Sequence, residues 1–175
     1  MPDSDDWYDI IQGDPGLRQG DILSQCPIIR VSPGVNYPLE EENIPATIES
    51  HNIVILTQSC DLDQDKVSGV VCCTHFDLEQ AKKASPELEK RNAAEEIKKG
   101  RRLRYTLLAA HDDSDPKMTL RIVDLGDIFV LPKDFLQKVA AAQNPRLRLR
   151  APYREHLSQA FARFYMRVAL PREAF

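Results

Sequence analysis

No apolar run in this sequence approaches the roughly 18 residues that a membrane-spanning helix needs. Runs such as 53–56 and 128–131 end after four residues, so no membrane partner is expected. Cysteine is scarce as well. There are four in 175 residues, and Cys72 and Cys73 are adjacent. That spacing is no disulfide framework and points to a reducing, cytoplasmic setting. Seven glycines exclude a collagen-like repeat, and 42% hydrophobic residues exclude a mainly disordered chain. Residues 1–9 hold four aspartates and neither lysine nor arginine, the opposite of a secretory leader. The sequence contains no internal repeat. What remains is an ordinary globular composition, read as a single domain over 1–175 that buries roughly 70% of its unfolded surface without a staple.

The net charge of −4 is unevenly spread. Residues 1–16 form an acidic arm with Asp3, Asp5, Asp6, Asp9 and Asp14 and only Arg/Lys-free neighbours. Residues 144–175 carry seven arginines against Glu155 and Glu173. The asymmetry either steers a nucleic acid to the C-terminal end or folds the acidic arm over it; solvated surface is the plain alternative. Within the basic region, Arg146, Arg148 and Arg150 alternate with leucines, so a strand there has one arginine face. Such a face suits phosphate tracking, and equally an edge strand protected by charge.

Short strand signals recur along the chain: 20–23, 27–31, 52–57, 67–74, 103–109, 118–123 and 127–131. Residues 34–46, with two further prolines and an acidic triplet, read as an exposed loop. Segments 52–57 and 67–74 read as a β-hairpin closed by a polar loop at 60–66. Residues 77–100 change period and read as a helical insertion: 77–84 looks helical, and Ser85 and Pro86 then open a second helix that Gly100 ends. Pro132 ends a strand and opens a helix over 133–142. The last element, 152–170, is an amphipathic helix whose stripe holds Leu157, Ala160, Phe161, Phe164, Tyr165 and Val168. The expected fold is mainly β with added helices: a curved antiparallel sheet or an SH3-like barrel, with the C-terminal helix packed across it.

The stretches 20–23, 52–58, 70–76 and 121–136 together resemble the PemK/MazF family of bacterial toxin barrels. The resemblance covers about a third of the chain. It implies an SH3-like barrel, often a dimer, in a toxin–antitoxin or phage-defence setting, with relatives that cut single-stranded RNA without a metal. It also implies a threonine or serine at the end of one strand, where Thr74 falls, and an arginine at the start of the neighbouring strand. Here His51 and Asn52 stand in place of that Arg-Pro pair. A neutral histidine can move a proton but lacks the permanent cation that stabilises a pentacovalent phosphate.

Hairpin geometry alone brings His51 near Thr74, His75 or Phe76 at one rim of the sheet, a candidate acid/base or anion site. Polar hairpin-end residues held by hydrogen bonds are its structural counterpart. The cysteines do not make a metal site: Cys60 lies at the turn end of the hairpin, and Cys72 and Cys73 point to opposite faces. No metal or cofactor is expected. Cys60 is either a reactive thiol or a small residue closing the hairpin. Three functions follow. The first is a binding or regulatory module with a protein partner or a second copy. The second is a metal-independent endoribonuclease using His51, Thr74 and His75. The third is a cysteine-dependent enzyme acting through Cys60.

Overall fold

Two segments that read as separate strands, 20–23 and 27–31, are one strand in the computed structural model, β2 (Ile22–Val31). A bulge between Leu23 and Cys26, with Gln25 at a φ of 48°, inserts one extra residue against β3 (Ala46–Ile55). The insertion restores the alternation, so Leu23, Cys26 and Ile28 all enter one buried layer. Segments 118–123 and 127–131 merge in the same way into β6 (Arg121–Pro132). The structure describes residues 7–14, 16–35, 44–89, 92–112 and 114–166. Asp3, Asp5 and Asp6, much of the 34–46 loop, and Val168 lie outside them.

With β4 (Gly69–Asp77) and β5 (Tyr105–Leu108), these strands form a five-stranded antiparallel sheet in the order β2-β3-β4-β6-β5. A second sheet pairs β1 (Tyr8–Ile11) with β7 (Arg146–Leu149), also antiparallel. The sheets do not close into a barrel, because β2 and β5 remain opposite edges. Of the two expected forms, the open antiparallel sheet is the one observed. The expected hairpin is present, its loop holding a short helix α1 (Ser59–Asp63).

Each face of the large sheet has its own cover. Helix α4 (Lys133–Ala142) buries Leu136 and Ala140 against Leu23, Ile28, Ile53, Ile55 and Cys72. On the other face, Val54, Cys73, Val123 and Leu125 meet Tyr8, Leu147 and Leu149 of the small sheet. Helix α5 (Tyr153–Tyr165) adds buried Leu157 and partly buried Phe161 and Phe164 to that layer. No helix among the described residues is long and apolar enough to cross a membrane.

The first part of the insertion forms as expected over 77–84: α2 (Leu78–Ala84) is capped by Asp77, which accepts from the Gln80 N–H at 2.7 Å. Ser85 makes no side-chain cap for the second helix. Residues Pro86–Leu88 form only a 3-10 turn, and α3 begins again at Ala93–Lys98. A continuous helix would set Leu88 and Ile97 half a turn apart. The break lets both enter one cluster with Ala81, Tyr105 and Ile122.

Candidate functional site

The hairpin register places Asn52 opposite His75 and Ile53 opposite Thr74. Alternation then puts His51, Ile53 and Thr74 on the face covered by α4, and His75 on the face toward the small sheet. The sequence reading gathers His51, Thr74 and His75 at one accessible rim. The structure divides them between two faces, and Thr74 is 0% and His75 3% exposed.

His51 and Thr74 are nonetheless joined by a chain of polar contacts. His51 Nε2 donates to Glu49 Oε2 at 2.9 Å, and Arg30 Nε donates to the same oxygen at 3.1 Å. Arg30 Nη2 reaches both oxygens of Asp127 at 3.0 Å, and Thr74 Oγ1 donates to Asp127 Oδ2 at 2.8 Å. Phe129 floors the group, with the Arg30 guanidinium 4.6 Å from its ring centre and the His51 ring stacked at 6.2 Å. A bulge delivers Asp127. Cys73 pairs with Ile128 and Thr74 with Asp124, so Leu125, Gly126 and Asp127 loop out between them.

The charge balance of this network is one cation between two carboxylates. The hydrogen bond from His51, with Arg30 adding, holds the Glu49 carboxyl below the usual carboxylate range. Arg30 is therefore neutralised on both sides and leaves no net positive field for a phosphate. Thr74 is sealed and its hydroxyl is committed to Asp127.

His75 has the opposite problem. Among the described residues neither ring nitrogen has a hydrogen-bond partner, and both are closed off from solvent. Burial, with Arg121 adding, pushes the imidazole down to about 3. At neutral pH it is uncharged, carrying one N–H donor and one acceptor.

The arginine strand is not the basic face that alternation alone suggests. Arg146 and Arg148 are buried and converge on Asp21, which is 0% exposed. Arg146 Nε donates to Asp21 Oδ2 at 3.3 Å, while its Nη1 and Nη2 donate to the carbonyls of Asp14 and Gly16 at 2.6 and 2.7 Å. Arg148 donates to both Asp21 oxygens and, at 2.9 Å, to the Gly16 carbonyl. Arg150 is exposed, with Asp9 at 3.3 Å. The described part of the acidic arm thus lies against the arginines: β1 pairs with β7, setting Asp9 opposite Arg148.

Cys60 is the exposed cysteine, on the first turn of α1, and Cys26, Cys72 and Cys73 are buried. The polar groups near its sulfur are Gln58 Oε1 at 3.6 Å and Asp61 Oδ1 at 3.8 Å, neither of which is a base that activates a thiol in such enzymes. Cys72 and Cys73 enter different cores, as alternation requires. Among the described residues, no three His, Cys, Asp or Glu side chains group as a metal centre.

Sequence reasoning missed Arg30, Glu49 and Asp127. Two signals were available: a lone arginine inside the apolar run 27–31, and two aspartates, Asp124 and Asp127, inside a strand-like stretch. Charges within strands that pack on both faces need partners, and those partners come from other strands. Compared with known proteins, the chain matches no family model and no curated protein.

Proposed function

We propose that the chain is a binding or regulatory module, a divergent relative of the PemK/MazF-like proteins, that works as a homodimer through the outward face of its β2–β3 ribbon. One observation carries this reading. Ile29 and Ile48 stand directly opposite each other in the ladder and are 69% and 73% exposed. Val31 extends the strip, and the same face of the ribbon continues through Pro27 and Ser50 without a charged side chain. Large apolar side chains clustered in the open are a common mark of an interface. A twofold axis sets this neutral strip against its own copy with no charge opposed to charge. Pro27 and the bulge at Gln25 blunt the β2 edge, so the contact is face to face and not by strand addition.

Sedimentation velocity of the full chain tests the reading. The wild type is expected to sediment as a dimer and Ile48→Asp as a monomer with an unchanged circular dichroism spectrum. A wild-type monomer at every concentration overturns it.

The endoribonuclease reading has one observation in its favour. Arg30 supplies a guanidinium one carboxylate away from Thr74, although from β2 and not from the position of His51, where the resemblance places its arginine. The paired carboxylates and the burial of Thr74 weigh against it. No cleavage of single-stranded RNA is expected without divalent metal at pH 6 or pH 8. Cleavage lost in Arg30→Gln, His51→Ala and Thr74→Ala would reverse the choice.

A further inference from the structure

A cavity of about 80 Å³ lies between the large sheet and β7, walled by Ile22, His75, Met118, Arg121 and Arg146, with Lys117 at its mouth. That is room for more than one water, or for one small polyatomic ion. Ile22, His75, Met118 and Arg146 are buried and Arg121 is partly buried, while Lys117 and Ser24 are exposed and mark the way in.

We propose that this cavity is a binding site for a small tetrahedral oxyanion of the phosphate class, held by Arg121 and Lys117 with His75 as a neutral N–H donor. The charge of the lining is one-sided: among the described residues it contains Lys117, Arg121 and Arg146 and no carboxylate. Arg146 is already committed to Asp21 and to two carbonyls, so it contributes field and not a free donor. Arg121 is nearly free. Among the described residues its one ion pair, Nη1 to Asp77, is long at 3.8 Å, and its buried Nε has no partner. Lys117 has no ion-pair partner among the described residues.

The orphaned nitrogens are the second, independent sign of a ligand. Buried polar groups are almost always hydrogen-bonded, and each exception calls for a reason. Here the unpartnered Arg121 Nε and both nitrogens of His75 occur in the lining of one cavity. Burial holds His75 uncharged, so it offers an N–H to an anion without adding a proton to the balance. A phosphate oxygen accepts from a guanidinium, an ammonium and an imidazole N–H together, which a single water does less completely. These nitrogens present almost no surface to water, so binding requires the His75 and Arg121 side chains to turn toward the cavity. This site shares no side chain with the Arg30–Asp127 network or the Ile29–Ile48 strip.

Calorimetric titration of the full chain at constant ionic strength tests it, with inorganic phosphate, acetate and adenosine monophosphate as separate ligands. Phosphate is expected to bind saturably, one per chain, and to move the His75 imidazole signal in 1H–15N spectra. Arg121→Gln and Lys117→Glu are each expected to weaken binding about tenfold or more. Lys117 is exposed, so its variant keeps the question answerable if Arg121→Gln fails to fold. Phosphate alone binding identifies the free ion as the ligand, and tighter binding of the nucleotide identifies a nucleotide phosphate; both uphold the site. No saturation, binding unaffected by Lys117→Glu, or acetate binding as well as phosphate overturns it.

Discussion

Arg148 donates from Nε and Nη2 to the two carboxylate oxygens of Asp21, closing a forked ion pair across 127 positions of sequence. Asp21 is fully sealed and also takes Arg146, so one carboxylate answers two buried guanidiniums, with the Asp14 carboxylate adding a longer contact to Arg148 at 3.6 Å. The backbone carbonyls of Asp14 and Gly16 accept from Nη1 and Nη2 of Arg146 and from Nη2 of Arg148. The cluster ties β7 to the start of β2 and to the segment after β1.

Asp21→Ala should therefore destabilise the chain by about 3–5 kcal/mol, the range for stripping one partner from a buried ion pair. Urea unfolding measures it. A change below about 1 kcal/mol would mean that water reaches the two arginines after all.

His75 gives stability a pH dependence of definite sign. Its folded value, about 3, lies below the unfolded reference of ~6.5, so the unfolded chain binds the proton first. Its contribution is complete above pH ~6.5 and drains away as pH falls toward the folded value. The chain should be about 2 kcal/mol less stable at pH 5 than at pH 7 from this residue. That window lies above the range where most carboxylates titrate. His75→Leu should flatten the difference in phosphate-free buffer, and an unchanged slope would assign it elsewhere.

Helix α5 rests on Leu157 more than on its aromatics. Leu157 is buried, whereas Phe161 and Phe164 are partly exposed. Leu157→Ala should cost about 2–5 kcal/mol in chemical unfolding. Phe161→Ala should cost about 1–3 kcal/mol, short of the ~3–5 for a fully buried aromatic. Equal costs would mean that the stripe is rotated toward Phe161.

Thiol titration separates the cysteines. Burial pushes the Cys26 thiol up to about 11 and Cys72 up to about 12, and it raises Cys73 further. A disulfide reagent at pH 8 should modify Cys60 rapidly in the folded chain and the other three only after denaturation. Cys60→Ser should remove the fast phase, and a fast phase that persists would show that a core opens readily.

Much of the frame was legible without coordinates. Pro132 and the apolar spacing after it marked helix α4 at Lys133–Ala142, and the polar loop between two apolar runs marked the β3–β4 pairing. Alternation sent Cys72 and Cys73 into separate cores because the period of a strand is local and strict. Bulges were not legible. A single extra residue shifts the period, so β2 and β6 each read as two strands.

The sequence by itself determined which side chains share a face; only the tertiary structure decided which faces meet water. Arg146 and Arg148 do alternate with leucines, yet β7 lies between β1 and Asp21, and the basic face became an interior one. His51 and Thr74 do share a face, yet Arg30, Glu49 and Asp127, from three strands, link them into a neutralised network. Periodicity is set by neighbours along the chain, whereas a buried charge is stable only beside a partner that the fold brings from far away in sequence.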